Sequence, residues 1–193
     1  MEKKETEKFC PGSRQEWREW LEENHSVKQS VQLVYYKKKT NISSITWREA
    51  VDEALCFGWI DSTARPIDSE KSMQYFSRRK PGSTWSKVNK EKVKQLIDAG
   101  LMARAGFESI EIAKRNGSWT ILDDVEELII PPDLDSAFEL VPGSKEFFLS
   151  LSKSGRKIIL QWIHLAKRPE TRLKRINETV ERAGEKLKPG WIV

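Results

Sequence analysis

Side chains that could bind an anion are concentrated between residues 59 and 87 of this 193-residue chain. The centre of this segment is the cationic run Arg78, Arg79 and Lys80. Guanidinium and ammonium groups pair with phosphate or carboxylate, and aromatic rings stack on nucleic-acid bases. The candidate ligand-binding residues are Trp59, Asp61, Tyr75, Arg78, Arg79, Lys80, Trp85 and Lys87. The segment therefore predicts a site for an anionic small molecule or for nucleic acid.

The same segment is also typical of a basic loop anchored by core aromatics, and both interpretations stay open. Asp61 comes soon after the helix stop at Gly58. We expect this carboxylate to pair with Arg65, Arg78 or Arg79, and so either to orient a guanidinium for a ligand or only to close the fold. Trp85 and Tyr75 are expected to be the exposed aromatics.

A second basic face is predicted on the last helix, where Arg168, Arg172 and Arg175 follow or flank Pro169. It suits either nucleic-acid contact or pairing with acidic neighbours. Residues 95–150 carry 4 basic and 11 acidic groups, whereas residues 71–94 carry 8 and 1, and residues 151–193 carry 11 and 4. Ion pairs between these blocks inside one globule are the favoured interpretation.

No pattern of residues predicts a catalytic or metal site. Cys56 lies between Leu55 and Phe57 in an apolar helix, so it is predicted to be a small buried hydrophobic residue rather than a nucleophile. His25 and His164 are the only histidines, too few and too far apart to indicate a metal. We expect no cofactor, although an enzyme with Asp61 and Arg79 in its pocket stays open as an alternative.

Capping patterns and apolar periodicity predict the elements. Ser13 and Thr46 each precede a glutamate by three residues, which is a capping box. The predicted helices begin near residues 14, 47, 87, 104, 132, 144, 154 and 169, and the predicted strands cover 31–36, 59–62 and 72–77. Trp47, Ile97 and Leu173 are placed on the inward faces of their helices.

These elements predict an α+β fold that is predominantly helical, with a small antiparallel sheet, flanking helices and a C-terminal helical segment. We expect a flexible N-terminus over residues 1–12 and an α+β part over 13–130, with Pro131 and Pro132 at the boundary. A helical subdomain over 131–185 and a tail over 186–193 follow. The length suits one domain or one domain with a small appendage.

Two features of the sequence predict a cytoplasmic protein. The two cysteines, Cys10 and Cys56, lie in dissimilar contexts that give no support to a disulfide, which suits a reducing compartment. No apolar run approaches the ~20 residues that cross a bilayer, and residues 1–8 lack the hydrophobic region of a secretory signal. We therefore expect no membrane insertion.

Three signatures in the chain resemble the bacterial YdeI/OmpD-associated proteins, also labelled bacteriocin-protection proteins. They are Trp47 with residues 49–61; Phe76 with residues 79–81, Ser83 and residues 85–89; and residues 166–172 with Arg175 and Ile176. They occur in the right order and cover most of the chain.

The resemblance implies protection against bacteriocins or cationic antimicrobial peptides and an association with an outer-membrane porin, without a reaction or catalytic residues. Direct contact with a porin is not expected of a chain without an export signal. The leading hypothesis is therefore a non-enzymatic, stress-related cytoplasmic protein that binds an anionic partner through its basic aromatic loop. The alternatives are a nucleic-acid-binding protein and an enzyme acting on a small anionic substrate.

Overall fold

A computed structural model describes residues 7–190, and the chain divides into two units at Trp119 and Thr120. The elements of the first unit are β1 (Lys8–Phe9), α1 (Arg14–Asn24), β2 (Ser30–Tyr36), a 3₁₀ turn (Lys38–Thr40), α2 (Trp47–Cys56), β3 (Trp59–Pro66), β4 (Lys71–Arg78), α3 (Lys87–Asp98) and α4 (Arg104–Arg115). Those of the second are α5 (Asp123–Glu126), α6 (Pro132–Glu139), α7 (Ser144–Ser150), α8 (Lys153–His164) and α9 (Pro169–Gly184). The predominantly helical α+β prediction is confirmed.

The capping residues begin their helices as the sequence predicts. The Ser13 hydroxyl accepts the Glu16 amide at 3.2 Å at the start of α1. At the start of α2 the Thr46 hydroxyl accepts the Glu49 amide at 3.3 Å, and the Glu49 carboxylate accepts the Thr46 amide at 2.8 Å. Both caps satisfy amides that have no partner within the helix, and so they fix where α1 and α2 begin.

The sheet has the strand order β1-β2-β4-β3. β4 pairs antiparallel with both β2 and β3, as predicted for β3 and β4. The short strand β1 pairs parallel with β2, placing Phe9 opposite Leu33. The sequence assigned residues 1–12 to a flexible N-terminus, whereas Lys8 and Phe9 extend the sheet; two residues are too few to show a strand pattern.

The first core lies between one face of this sheet and the helices. Trp17 stacks on Trp20 with ring centroids 5.1 Å apart, and it contacts Phe76 at 5.5 Å. The Trp17 indole N–H donates to the Ala50 carbonyl at 3.0 Å, which joins α1 to α2. Large aromatic areas thus hold α1 and α2 against the sheet, and α2 in turn positions α3 and α4.

A buried ion cluster in this unit has no clear signal in the sequence. Glu53 on α2 is 2% exposed and pairs with Arg14 at 2.5 Å and with Arg18 at 2.8 Å. Arg18 also donates to the Leu101 carbonyl at 3.1 Å. Two guanidinium groups compensate the buried carboxylate, so the cluster ties α1 to α2.

Over residues 120–190 the second unit has five helices around a core of its own, which includes Leu134, Phe138, Phe148, Ile159 and Ile163. Leu122, which precedes α5, and Val125 of α5 are buried in this core. The sequence placed the boundary near residue 130, at the proline pair; the units divide about ten residues earlier because these two apolar side chains pack with the helices that follow.

Three side chains predicted to face inward are exposed instead: Trp47 is 50% exposed, Ile97 39% and Leu173 60%. Each lies at the edge of an apolar stripe, where helical periodicity alone does not show how far the neighbouring element reaches. Of the predicted N-terminus and tail, residues 1–6 and 191–193 lie outside the described residues. No helix within residues 7–190 has the length and apolar character that a membrane span requires.

Candidate anion-binding site

The end of β4 and the loop after it carry Arg78, Arg79 and Lys80, which line a cavity of about 150 Å³. The Arg79 amide donates to the Gly58 carbonyl at 2.9 Å, and the Ser83 amide donates to the Lys80 carbonyl at 2.9 Å, closing the turn that Pro81 and Gly82 predict. The loop is therefore fixed at both ends.

The end of α4 also holds this loop in place. The Asn116 amide nitrogen and the Ser118 hydroxyl both donate to the Pro81 carbonyl, at 2.7 and 3.2 Å. Two donors on one carbonyl restrict the turn, so the backbone of the loop is held in place beside the cavity.

The opposite wall of the cavity is a strip of α4 that the sequence did not single out. Ala105, Glu108, Ser109 and Ile112 follow one another at i, i+3, i+4 and i+7, which is one face of a helix. His25 at the end of α1, Phe57 and Gly58 complete the lining. The helical spacing indicates that these α4 residues share one face of the helix, but it does not indicate that this face meets the basic loop.

Two glycines allow α4 to approach so closely. A Cβ on Gly106 would lie 2.3 Å from the Cys56 carbonyl oxygen. Gly58 has φ +71°, and a Cβ there would lie 3.0 Å from the Ala105 carbonyl oxygen and from the Ser109 Cβ. Side chains at these positions would push α4 away from the end of α2.

Arg79 is the central residue of the site. Its guanidinium carbon lies 3.6 Å from the centroid of the Trp85 ring, and one terminal nitrogen donates to the Thr84 carbonyl at 3.1 Å. Its Nε and its other terminal nitrogen are buried and have no hydrogen-bond partner in the structure. Desolvation lowers the pKa of Arg79 to about 10, against a smaller opposing effect of Asp61. The side chain is thus a cation at neutral pH with unused donors.

Among the described residues, Asp61 forms no ion pair with Arg65, Arg78 or Arg79, so the expected pairing of this carboxylate is wrong. The Asp61 carboxylate accepts the Trp47 indole N–H at 2.9 Å and the Gln74 amide at 3.0 Å. Asp61 does not line the cavity. The bulge between Asp61 and Ala64 and the approach of exposed Trp47 decide this partner, and neither is visible in the local sequence.

The remaining predicted site residues fall into different places. Trp85 was expected to be exposed but is 2% exposed, and Trp59 is fully buried and donates to the His25 carbonyl at 3.3 Å. Tyr75 is partly exposed, alternating with buried Gln74 and Phe76 along β4. Lys87 is exposed at the start of α3, outside the cavity lining. The structure thus brings together only Arg78, Arg79 and Lys80 at the cavity, with Trp85 packed under Arg79.

The predicted basic face in the second unit is largely engaged within that unit. Arg172 binds Asp133 through two nitrogens, at 2.6 and 2.8 Å. Arg175 donates to the Trp162 carbonyl and its guanidinium lies 5.0 Å from the Trp162 ring centroid, while Arg168 is exposed. The Arg172–Asp133 pair joins basic and acidic blocks as the charge distribution predicted.

The other reactive groups have structural surroundings. Burial raises the pKa of Cys56 to about 11, with Glu53 acting in the same direction. Cys56 is fully buried, as predicted, and both cysteines are free thiols. Among the described residues, no three His, Cys, Asp or Glu side chains are grouped in a way that could hold a metal ion.

Two family models match the chain. Residues 9–109 match a domain of unknown function (DUF8412), and residues 127–186 match the family described as bacteriocin-protection, YdeI or OmpD-associated. No curated protein and no solved structure gives a significant match. The YdeI/OmpD-associated resemblance is thus confirmed for residues 127–186, which contain the third signature. The first two signatures lie in the segment that the other model matches, and so does the lining of the Arg79 cavity apart from Ile112.

Proposed function

This chain belongs, through residues 9–109, to the domain-of-unknown-function family DUF8412, and we propose that its first unit binds a small anion at the Arg79 cavity. The observation that carries the proposal is the Arg79 guanidinium, buried beside a cavity with two nitrogens that lack a partner. Buried donors of a charged group are costly when they have no hydrogen-bond acceptor, and an anionic ligand would offset that cost.

The charges around the cavity favour an anion. Arg78, Arg79 and Lys80 face a single carboxylate, Glu108, which is paired with Arg104 at 2.7 Å. Exposed Arg78 and Lys80 attract an anion to the cavity, and Arg79 provides the donors inside. Because Nε and the second terminal nitrogen are shielded, binding requires a small rotation of the Arg79 side chain towards the cavity.

The size of the cavity limits the ligand. About 150 Å³ is roughly ten times the ~10–15 Å³ that a cavity needs to hold one water molecule. We propose a ligand of the size of phosphate, sulfate or the carboxylate end of a metabolite. Burial of Trp59 and Trp85 also removes the rings that would stack on a base at this loop.

The proposal is one of binding in the cytoplasm. Free thiols at Cys10 and Cys56 support a reducing compartment. The family description of residues 127–186 names bacteriocin protection; a role of the anion site in such protection is a hypothesis that a protection assay on the Arg79 variant would test.

Calorimetry and thermal unfolding with inorganic phosphate, sulfate and acetate test the site. We expect saturable binding and a rise in melting temperature, because a ligand at ~100 times its dissociation constant adds ~2.7 kcal/mol of stability. Arg79→Met should weaken binding about tenfold or more, since a hydrogen bond to a charged group contributes ~1.5–3 kcal/mol. The matched control is Arg115→Gln, on the exposed part of α4 outside the cavity.

Two further variants separate a loss of the site from a loss of the fold. Ser109→Leu fills the cavity and keeps every cation, so it should abolish binding. Arg78→Gln with Lys80→Gln removes only exposed charges and should weaken binding while leaving the melting temperature without ligand unchanged. Binding that persists in Ser109→Leu, or that Arg115→Gln weakens as much as Arg79→Met, would overturn the proposal.

A further inference from the structure

The outer face of the sheet, opposite the first core, carries a row of side chains fixed by the strand register. Gln32 of β2 lies opposite Tyr75 of β4, and Val34 lies opposite Met73. Met73 in turn lies opposite Arg65 of β3. The alternate residues Leu33 and Phe76 belong to the first core, and Gln74 between them on the same face is also buried. Because side chains alternate along a strand, Tyr75 and Met73 must project from the opposite face.

This outer face is partly open to solvent. Tyr36, Tyr75 and Met73 are half-buried and Arg65 is exposed. A hollow of about 340 Å³ is lined by Gln32, Ser62, Thr63, Arg65, Met73 and Tyr75. Within residues 7–190, the Tyr75 ring and hydroxyl have no hydrogen-bond or ring partner. An unpartnered tyrosine in a hollow on an open sheet is available to a ligand.

Aromatic rings and cations are interleaved along this face. Tyr36 is four residues from Gln32 on β2, so it lies about 13 Å along the sheet from the Tyr75 row. The Lys71 ammonium group lies 5.1 Å from the centroid of the Tyr36 ring. Exposed Lys38 and Lys39 follow β2 at the same end. The Tyr36 and Tyr75 rings are thus separated by apolar Val34 and Met73 and have cations beside them. Single-stranded nucleic acid binds to surfaces of this kind, where rings stack on the bases and cations contact the phosphates.

We propose that this outer sheet face binds single-stranded nucleic acid, with a base stacked on Tyr75 in the hollow and the backbone on Arg65, Lys71 and the lysines after β2. The Gln32 amide lies beside Tyr75 and can donate to and accept from a base edge, as sequence readers of unpaired RNA do. A duplex keeps its bases stacked within the helix and so cannot use Tyr75. The site shares no residue with the Arg79 cavity lining, and the proposal is independent of the anion site.

Fluorescence anisotropy with labelled 12-nucleotide single strands of DNA and RNA, and with the matching duplex, tests this inference at two salt concentrations. We expect the single strands to bind more tightly than the duplex, with affinity that falls as salt rises. Tyr75→Ala should weaken single-strand binding about tenfold, within the range measured for loss of one stacking ring. Tyr75→Phe keeps the ring and should restore binding, which distinguishes stacking from a structural role of the hydroxyl.

Charge variants complete the test. Arg65→Gln with Lys71→Gln should weaken binding and flatten its salt dependence, because two phosphate contacts are lost. The matched control, Lys94→Gln with Arg115→Gln, removes two exposed charges from α3 and α4 and should change neither. Arg79→Met should leave single-strand binding intact, so failure here is distinct from failure at the anion site. Equal binding of duplex and single strand, equal losses in the control, or no binding at low salt would overturn the proposal.

Discussion

The Arg79 guanidinium lies 3.6 Å from the ring centroid of Trp85, a tryptophan that is 2% exposed. A cation is thus held against the core of the first unit by a ring and by one backbone carbonyl, that of Thr84. No carboxylate of the described residues forms an ion pair with it. The contact with Trp85 stabilises the guanidinium but leaves two of its nitrogens without partners.

Arg79→Met should change the free energy of unfolding by less than about 1 kcal/mol in a buffer without phosphate or sulfate. The loss of the Trp85 and Thr84 contacts is offset because the buried nitrogens without partners are removed as well. Urea unfolding of both proteins measures this difference. A loss of several kcal/mol would show that Arg79 is structural, and it would contradict a guanidinium kept for a ligand.

Asp61→Ala should destabilise the first unit by about 1–3 kcal/mol, because Gln74 is 4% exposed and loses one of its acceptors. Gln74 keeps its bond to the Ser62 carbonyl at 2.8 Å, which limits the cost. Asp61→Asn retains an acceptor and should cost less than half as much in urea unfolding.

Phosphate binding by Asp61→Asn distinguishes the observed network from the ion pair that the sequence predicted. Asp61 favours the charged form of Arg79 at long range but does not line the cavity. We therefore expect binding that is unchanged or slightly tighter once the negative charge is gone. Loss of phosphate binding would show that Asp61 orients Arg79.

Gly106→Ala should destabilise the first unit by about 1–3 kcal/mol, because a methyl group has no room 2.3 Å from the Cys56 carbonyl oxygen. It should also weaken phosphate binding, since α4 forms one wall of the cavity. The control is Gly82→Ala, where no atom lies within 4 Å of an added Cβ. Equal thermal stability of the two variants would show that α4 does not need this close approach.

The Arg172–Asp133 pair should make the second unit depend on pH in the acid range. The hydrogen bond from Arg172 lowers the pKa of Asp133 below its usual value of 3.8. Stability from this pair is therefore fully present above about pH 4 and is lost as pH falls through the lowered value. Because Asp133 is 46% exposed, Asp133→Asn should cost only about 0.5–1 kcal/mol at pH 6.

Urea unfolding of the wild type and Asp133→Asn at pH 6 and pH 2 checks this, and the difference between them should be smaller at pH 2 than at pH 6. Glu139→Gln, on the exposed side of α6, is the matched control and should show no pH-dependent difference. A difference of equal size at both pH values would assign the effect to packing rather than to charge.

Local chemistry explains how much of this fold could be predicted. Ser13, Thr46 and Gly58 act on backbone groups within a few residues of themselves, so the ends of α1 and α2 follow from nearby sequence. Arg78, Arg79 and Lys80, at the end of β4 and in the loop after it, could likewise be identified from their residue types and from the turn that follows. Those features, together with the α+β class, need no knowledge of distant contacts.

Distant packing decided the rest. The sequence alone could not show which of Trp47 and Trp85 would be exposed, since both precede or begin helices and both are large and apolar. Burial depends on which element arrives over each ring: Arg79 and Trp119 lie against Trp85, whereas Trp47 remains at the surface and bonds Asp61. The sequence by itself therefore determined the cations of the site, whereas the contact of α4 with the loop after β4 formed the cavity beside Arg79. The cavity could not be predicted because this contact joins residues too far apart in the chain to leave a local pattern.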